Sequence, residues 1–317
     1  MRVLIVTNMW PTEERPALGG FVRDQVEALR RIDGLEVEVF SFTPTGGLRP
    51  YARAARELRR RHGGDEFDVV HAHYGMTAWC TLVLRGAPRV VTFHGTDLGH
   101  PRFGRLSRAV ARRMDLPATA SGWLAHQPMV GLKGAGGTRR VAVLPCGVNL
   151  TRFQRTDRGK ARRQLNLDPN GRYLLFPADP ARPEKRHDRA RELAERAGAE
   201  LLSYDSTPPS EVPLLINAAN AMVVTSEREG FGLGALEALA CDVPVASTDV
   251  GIAPLALAGV RGTLAAPFDV DRWLGVVQPH LDDPDPRIDG RARAALFDSN
   301  RMAMRVFRAY RALIQGN

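Results

Sequence analysis

Residues 221–241 read AMVVTSEREGFGLGALEALAC, and this stretch decides the fold of the chain around it. Residues 221–225 are apolar or β-branched and predict a strand, whereas residues 233–241 are typical of a helix. A strand that passes through glycines into a helix is the unit from which parallel α/β sheets are built. Backbone N–H groups at the start of such a helix bind anions, so the stretch also predicts a phosphate site.

Two carboxylates bracket the glycine turn. Glu229 precedes it, and Glu237 lies about one turn inside the predicted helix. In these positions both carboxylates can accept hydrogen bonds from sugar hydroxyls, including a ribose diol. The alternative is an ordinary helix start with acidic first-turn residues. We predict a binding site for a phosphorylated sugar because carboxylates, glycines and helix start fall together.

The same alternation of apolar strands and amphipathic helices extends over both halves of the chain. The predicted strands are residues 3–7, 37–42, 68–71, 89–93 and 141–144, then 173–176, 199–203, 221–225 and 243–247. A polar, arginine-rich segment separates the two sets. We therefore predict an α/β fold of two Rossmann-like domains, residues 1–155 and 156–300. Residues 301–317 form a C-terminal helix, for which we consider packing back on the first domain.

Composition narrows the classes of protein. No stretch of about 18 apolar residues occurs, and the apolar run at the N-terminus is too short for a signal peptide, so we expect a cytosolic protein without a membrane span. Cys80, Cys146 and Cys241 lie far apart and lack metal-ligand spacing. We expect them to be small buried residues in a reduced compartment, with neither a disulfide framework nor a zinc site.

The net charge of +9 is unevenly distributed. Residues 1–150 hold 21 basic and 13 acidic residues, whereas residues 151–317 hold 23 and 22. A basic helix at residues 51–62 favours peripheral contact with an anionic membrane at its inner face, although the helix has few large apolar residues to insert. Solvated arginine is the alternative, since 41 of the 44 basic residues are arginine. Nucleic acid is not an expected partner, because no stacking aromatic residues interleave the charges.

Several motifs, taken in order, resemble retaining glycosyltransferase family 4, which has the GT-B fold of two facing Rossmann-like domains with a cleft between them. The likeness covers nearly the whole chain. The motifs are PALGGFV at 16–22, DVVHAH at 68–73, VTFHGTD at 91–97, LPCGVN at 144–149 and EGFGLGALE at 229–237.

The resemblance implies a retaining transferase of the hexosyltransferase type. Its donor would be a nucleotide sugar, with a UDP-sugar as the family-level expectation. Its acceptor would be a hydroxyl of a glycan, a lipid-linked molecule or a small molecule. Neither a metal nor another obligatory cofactor is expected, because cationic side chains and the helix start supply countercharge to the leaving diphosphate.

The resemblance also implies roles on the donor side. Glu229 contacts the donor sugar as a catalytic residue, and Glu237 holds the ribose. Backbone near the donor is contributed by two further groups of residues. They are Gly19 and Gly20 in the first domain, and Gly230, Phe231, Gly232 and Leu233 in the second.

On the acceptor side, His94 ends a buried strand and matches a motif that faces the reaction centre, so we expect it to be catalytic. His73 and Asp97 are expected to bind the acceptor. Asp97 has an alternative role in ordering the His94 loop or capping a helix. His71 and His73 point the same way from one strand, but a third metal ligand is missing, so metal binding is not expected.

The diphosphate-binding cations depart from the family pattern. Residues 176–185 read FPADPARPEK, in which Lys185 matches, whereas Ala178 and Asp179 replace a Gly-Arg pair and Arg182 comes three positions late. An aspartate that faces a diphosphate repels it, so either Arg182 swings in or Asp179 points elsewhere. The expected donor-binding cations are Arg182 and Lys185.

Two other functions stay open at this stage. A nucleotide-sugar epimerase of the same fold would need acid and base carboxylates, which the sequence does not place. A catalytically silent nucleotide-sugar-binding protein is the second alternative, and it is the one that Asp179 favours.

Overall fold

The computed structural model describes residues 1–127, 141–205 and 207–316. The chain divides into two compact units, one of Met1–Gly147 with Ser299–Asn317 and the other of Val148–Asp298. The change from the first unit to the second therefore comes at Gly147, earlier than the 155 expected from the sequence. The C-terminal helix belongs to the first unit.

The first unit is a six-stranded parallel sheet in the order β2-β1-β3-β4-β5-β6. Its strands are β1 (Arg2–Thr7), β2 (Glu36–Ser41), β3 (Val69–His73), β4 (Arg89–Phe93), β5 (Leu116–Thr119) and β6 (Ala142–Val143). The helices between them are α1 (Gly20–Leu29), α2 (Arg49–His62), α3 (Gly75–Thr81), α4 (Thr96–Gly99), α5 (Gly104–Val110) and α6 (Gly122–Ala125). The sequence pattern missed β5, because proline and small residues in that strand weaken the apolar signal.

The second unit is a five-stranded parallel sheet in the order β11-β10-β9-β7-β8. Its strands are β7 (Tyr173–Phe176), β8 (Glu200–Ser203), β9 (Ala221–Val224), β10 (Val245–Ser247) and β11 (Leu264–Ala265). Its helices are α7 (Arg158–Gln164), α8 (His187–Ala197), α9 (Val212–Ala218), α10 (Leu233–Ala240), α11 (Ala253–Ala256), α12 (Val270–Asp282) and α13 (Arg291–Ala294). Short 3-10 helices cover Ala111–Arg113, Pro183–Lys185 and Ala295–Phe297.

The central strands explain why both sheets form. All four residues of β9 are buried, as are the last five residues of β1. A parallel sheet that carries helices on both faces excludes water from both sides of its strands, so these strands are continuously apolar rather than alternating. The prediction of two α/β halves with parallel sheets is confirmed.

The cysteines and the helices bear on two of the expectations from composition. Cys80, Cys146 and Cys241 are free and buried. Burial raises the pKa of each thiol to about 12, so all three are uncharged packing residues. Among the helices of the described residues, none combines the length and apolar composition needed to cross a bilayer.

The last helix, α14 (Ser299–Gln315), completes the core of the first unit. Ala303, Val306 and Tyr310 have no exposed surface, and they belong to the same apolar cluster as Val22 and Val26 of α1. The helix presents its arginines to solvent on the opposite face. The first unit is therefore complete only with a segment that follows the second unit in sequence.

We expect Val306→Ala to lower the free energy of unfolding of the first unit by about 2 kcal/mol, because it removes buried methyl groups and leaves a cavity. The neighbouring exposed residue Arg305 provides the control. Arg305→Ala should change the free energy by less than about 0.5 kcal/mol. Urea titration of both variants checks this, and equal effects would contradict the packing of α14.

Candidate active site

The turn before α10 has the geometry of an anion site. Gly232 precedes the helix with φ 87° and ψ 51°, a left-handed conformation that glycine adopts without strain. A Cβ on Gly234 would lie 3.1 Å from the Pro177 Cβ, so the helix start also packs closely on the loop after β7. No side chain among the described residues caps the first turn of α10. Its first N–H groups are therefore available to a bound anion.

Lys185 and Glu229 meet beside this turn. Lys185 Nζ donates to Glu229 Oε1 at 2.6 Å, and their side chains are 11% and 13% exposed. The Ser226 hydroxyl donates to the same oxygen at 2.7 Å. Two residues predicted for the donor site, 44 positions apart, are thus in direct contact. The pair holds one cation and one carboxylate ready for a ligand that carries both phosphate and hydroxyl groups.

The loop that carries Lys185 is fixed by the end of β9. The Thr225 hydroxyl lies 3.0 Å from the Lys185 carbonyl oxygen and 2.9 Å from that of Arg186. The Glu227 N–H donates to the Glu184 carbonyl at 2.9 Å. These bonds tie the loop after β7 to the loop after β9. They set the position of the Lys185 backbone independently of its side-chain partner.

A second support comes from the loop after β10, which the sequence analysis did not single out. Gly251 has φ 60°, and a Cβ there would lie 2.3 Å from the Phe231 carbonyl oxygen. That oxygen accepts a hydrogen bond from the Ile252 N–H at 2.7 Å. Gly251 therefore allows the close approach that holds Gly230 and Phe231 in place. The sequence signal for this support was the glycine in the segment 249–252.

The two residues that depart from the family pattern have local partners. The exposed Asp179 accepts from the Ala181 N–H at 2.8 Å, which shapes its own turn. Arg182 donates to Glu184 Oε1 from Nε at 3.0 Å and from Nη2 at 2.6 Å, and its side chain is 45% exposed. Within the described residues, Arg182 is therefore held by Glu184 and is not drawn to Glu229.

Glu237 lies in the interior of the same unit. The residue is 8% exposed, and it faces Tyr204 on the loop after β8. Burial of the Tyr204 hydroxyl and the nearby Glu237 carboxylate raise the pKa of Tyr204 well above its ordinary value. Tyr204 is therefore a neutral neighbour of the carboxylate predicted to hold the ribose.

In the first unit, three histidines form a row. His71 Nδ1 lies 2.5 Å from the Tyr310 hydroxyl, and His71 Nε2 lies 2.8 Å from Thr92 Oγ1. His73 Nδ1 lies 3.1 Å from His94 Nε2. The ring of His73 lies between the other two, at centroid distances of 4.5 Å from His71 and 5.3 Å from His94. The alternation of side chains along β3 places His71 and His73 on one face, as the sequence predicted.

The three imidazoles are neutral. Burial lowers the pKa of His71 and His94 to about 3 and that of His73 well below its ordinary value. His73 is only 1% exposed, so it contacts His94 and not the solvent. His94 is partly exposed at the end of β4. The structure therefore presents His94 at the surface with His73 behind it.

Asp97 has no exposed surface and organises the loop that carries His94. Its carboxylate accepts from the backbone N–H groups of Gly75 at 3.0 Å, His94 at 3.2 Å, Gly95 at 2.9 Å and Leu98 at 3.0 Å. Burial raises the pKa of Asp97 to about 6. Of the three roles considered for Asp97, which are acceptor binding, ordering of the His94 loop and helix capping, this geometry favours loop ordering.

Gly19 and Gly20 begin α1. Gly19 has φ 69°, and a Cβ there would lie 2.1 Å from the Met9 carbonyl oxygen, so only glycine fits the turn. A Cβ on Gly20 would meet open space. The start of α1 is therefore shaped by Gly19 and left accessible at Gly20.

One group of side chains in the described residues has the spacing of metal ligands. Ligand atoms of Glu38, His62 and Asp65 lie within 4.8 Å of one another. These groups already have partners, since His62 Nδ1 is 2.8 Å from Asp65 Oδ2 and Glu38 pairs with Arg2. None of the three belongs to the loops at the carboxyl ends of the strands.

Two family models match the chain. A family model described as Glycosyltransferase Family 4 matches residues 1–152, and one described as Glycosyl transferases group 1 matches residues 160–295. A D-inositol 3-phosphate glycosyltransferase from Frankia alni is 30% identical in an alignment that covers 80% of this chain and 77% of that protein.

Solved structures are similar over nearly the whole chain. A sucrose-phosphate synthase from Thermosynechococcus elongatus has a TM-score of 0.81 at 19% identity, with 100% of both chains covered. Anabaena Alr3699/HepE in complex with UDP and glucose has a TM-score of 0.71 at 18% identity, with 98% of this chain and 100% of that chain covered.

The fold first defines a class, the GT-B fold with two α/β domains that each carry a parallel sheet. Within that class, the chain belongs to the glycosyltransferases of family 4 and group 1. The fold class and the family predicted from the sequence are confirmed.

The lowered pKa values of the three histidines predict how the free energy of unfolding depends on pH. Their folded pKa values lie below the ordinary 6.5, so they stabilise the fold above pH 6.5 and lose that contribution as pH falls toward 3. Each of the three histidines should lower the free energy of unfolding by about 1.4 kcal/mol for every unit that the pH falls within this range. Asp97, with its raised pKa, acts in the opposite direction but offsets only one group.

We therefore expect the free energy of unfolding, measured by urea titration from pH 7 to pH 5, to fall as pH is lowered. His73→Asn should reduce the slope because it removes one titrating ring. His126→Asn, at an exposed position, should leave the slope unchanged. A wild-type stability that stays flat over this range would contradict the neutral histidine row.

Proposed function

We propose that the protein is a retaining glycosyltransferase of the hexosyltransferase type that moves a sugar from a UDP-sugar to an acceptor hydroxyl. The observation that carries this proposal is the contact of Lys185 with Glu229 at 2.6 Å, beside the uncapped start of α10. A nucleoside diphosphate sugar has the two kinds of group that this site complements. Its phosphates suit a cation and helix N–H groups, and its hydroxyls suit a carboxylate.

Donor binding exchanges the partners of Lys185. The diphosphate draws the Lys185 ammonium from Glu229 and accepts hydrogen bonds from the backbone of residues 230–233. The Glu229 carboxylate is then free to bind hydroxyls of the donor sugar, while Ser226 still donates to it. Glu237 holds the ribose beside Tyr204, and Arg182 leaves Glu184 to add a second cation.

Bond cleavage needs countercharge at the leaving diphosphate. Lys185 and the N-terminal dipole of α10 supply it without a metal or another cofactor. The acceptor hydroxyl attacks the anomeric carbon from the face that the diphosphate leaves, its proton passes to the departing phosphate oxygen, and the anomeric configuration is retained. From the first domain, Gly19 and Gly20 contribute backbone near the donor, and His94 acts on the reacting groups. His73 and Asp97 lie behind His94 and act as positioning residues.

The choice of UDP is supported by the similar Anabaena protein, whose structure holds UDP and glucose. The acceptor class is a glycan, a lipid-linked molecule or a small molecule. We assign the first unit, Met1–Gly147 with Ser299–Asn317, to acceptor binding and the second unit, Val148–Asp298, to donor binding. The relative from Frankia alni is named for transfer to D-inositol 3-phosphate, which makes phosphorylated polyols the first small acceptors to test.

A panel of UDP-, GDP- and ADP-sugars tests the proposal by thermal shift, followed by product analysis. We expect UDP-sugars to stabilise the protein most, and the product formed with acceptor to keep the anomeric configuration of the donor in its NMR spectrum. An epimerised sugar formed without acceptor would identify an epimerase instead. Binding of UDP-sugars without turnover over a broad acceptor panel would identify a silent binding protein.

Removal of the site cation should abolish most of the turnover. We expect Lys185→Met to lower kcat on the order of 10²-fold, because the leaving diphosphate loses its main countercharge. Arg182→Met should have a smaller effect, since Arg182 is more exposed and must first leave Glu184. Arg191→Met removes a 66% exposed arginine of α8 and should leave kcat unchanged. Initial rates with a saturating donor decide between these outcomes.

We also propose that the first domain contacts an anionic membrane surface through α2. Arg49, Arg53 and Arg56 of this helix are exposed. The helix borders an open apolar pocket of ≈ 340 Å³. Its lining includes Leu48, Tyr51, Met76, Trp79 and Leu106. The apolar residues that α2 itself lacks are thus supplied in part by α3 and α5. Leu48 is 53% exposed and Leu106 is 39% exposed, so both are open to acyl chains.

Liposome sedimentation tests this contact. The protein should sediment with phosphatidylglycerol vesicles at low salt, less so at 0.5 M salt, and not with phosphatidylcholine vesicles, because arginine attracts anionic lipid and salt screens the attraction. The double variant Arg53→Glu, Arg56→Glu should abolish binding. The double variant Arg163→Glu, Arg191→Glu, on exposed positions of the second unit, should not. Absence of wild-type binding at low salt removes the proposal.

A further inference from the structure

The contact of His73 with His94 fixes where a proton lies. His73 Nδ1 and His94 Nε2 are 3.1 Å apart, and burial keeps both rings neutral. A hydrogen bond between two neutral imidazoles needs one N–H and one bare nitrogen, so each ring must hold a defined tautomer. The other nitrogen of each ring then decides which of two arrangements forms.

The two arrangements differ at His73 Nε2. This nitrogen is buried and has no hydrogen-bond partner among the described residues. If His94 Nε2 carried the shared proton, His73 would carry its own proton on Nε2, and a buried N–H would lack an acceptor. If His73 Nδ1 carries the shared proton, only a lone pair of Nε2 is unpaired. Buried N–H groups without a partner are the rarer of the two, so the second arrangement is favoured.

We propose that His73 is a positioning residue that fixes His94 with its proton on Nδ1, so that His94 offers a hydrogen-bond donor to the substrate. The Nδ1 atom of His94 has no hydrogen-bond partner in the described part of the chain. It is also not one of the polar atoms that are buried without a partner. We assign the N–H on His94 Nδ1 to an oxygen of the substrate. His94 cannot serve as a general base, because the lone pair on its Nε2 accepts the hydrogen bond from His73. The substrate assignment rests on the proposed function.

The rest of the row keeps His73 in place. His71 stacks on His73 at a centroid distance of 4.5 Å, and it is itself held at both ring nitrogens, by Tyr310 and by Thr92. Tyr310 comes from α14, 239 residues further along the chain. The C-terminal helix therefore supports the orientation of His73, which lies 21 positions before His94.

Long-range ¹H–¹⁵N NMR of the full chain with ¹⁵N-labelled histidine tests the proposal without substrate. At pH 7.5 we expect His94 to carry its proton on Nδ1 in the wild-type protein. His73→Asn keeps an amide N–H at the position of Nδ1 and should preserve this tautomer. His73→Leu removes the donor and should leave His94 in a mixture of tautomers. A wild-type His94 protonated on Nε2 overturns the proposal, as does an unchanged His94 tautomer in His73→Leu.

Turnover gives a second readout. His73→Leu should lower kcat/KM roughly tenfold, the effect of one misaligned hydrogen bond, and His73→Asn should restore most of it. If the tautomer is as expected but kcat/KM does not follow it, the positioning of His94 stands and its substrate role in the proposed function fails. The NMR result depends only on the free protein, so the two failures are distinguishable.

Discussion

The ion pair between Lys185 and Glu229 is the interaction on which the site depends. Both side chains are nearly buried, so each charge needs a partner, and loss of one would leave the other uncompensated. Bonds from Thr225 and Glu227 fix the backbone on either side of the pair, and Gly251 holds the turn that follows Glu229. A ligand with phosphate can therefore replace one partner without rebuilding the loops.

The sequence predicted those parts of the site that depend on local pattern. The strand, the glycine turn and the helix of residues 221–241 follow from composition, and the structure adds the left-handed backbone at Gly232. Lys185 and Glu229 were both assigned to the donor, because each matches a motif. Their contact and the pairing of Arg182 with Glu184 were not predictable, since alternative rotamers of long charged side chains satisfy the same motif. Strand β5 was missed because proline and small residues carry little apolar signal.

In the first unit, the sequence did not predict the order in depth of His71, His73 and His94. Alternation along β3 predicted that His71 and His73 share a face. Which ring meets the surface depends on the register of β3 with β4, where His73 pairs with Thr92, and on Tyr310 from the far end of the chain. Burial then makes the rings neutral, and the row becomes a set of hydrogen-bond donors and acceptors rather than charges.

Hydrogen exchange with UDP at saturating concentration tests the central claim, that the diphosphate binds at Lys185 and the start of α10. The account predicts slower exchange of the backbone amides of residues 230–235 and 184–186 in the presence of UDP, because the phosphates accept hydrogen bonds from the first group and bind the lysine that the second group carries. Lys185→Met should weaken the protection of both segments. Saturating UDP that leaves the exchange of both segments unchanged would contradict the account.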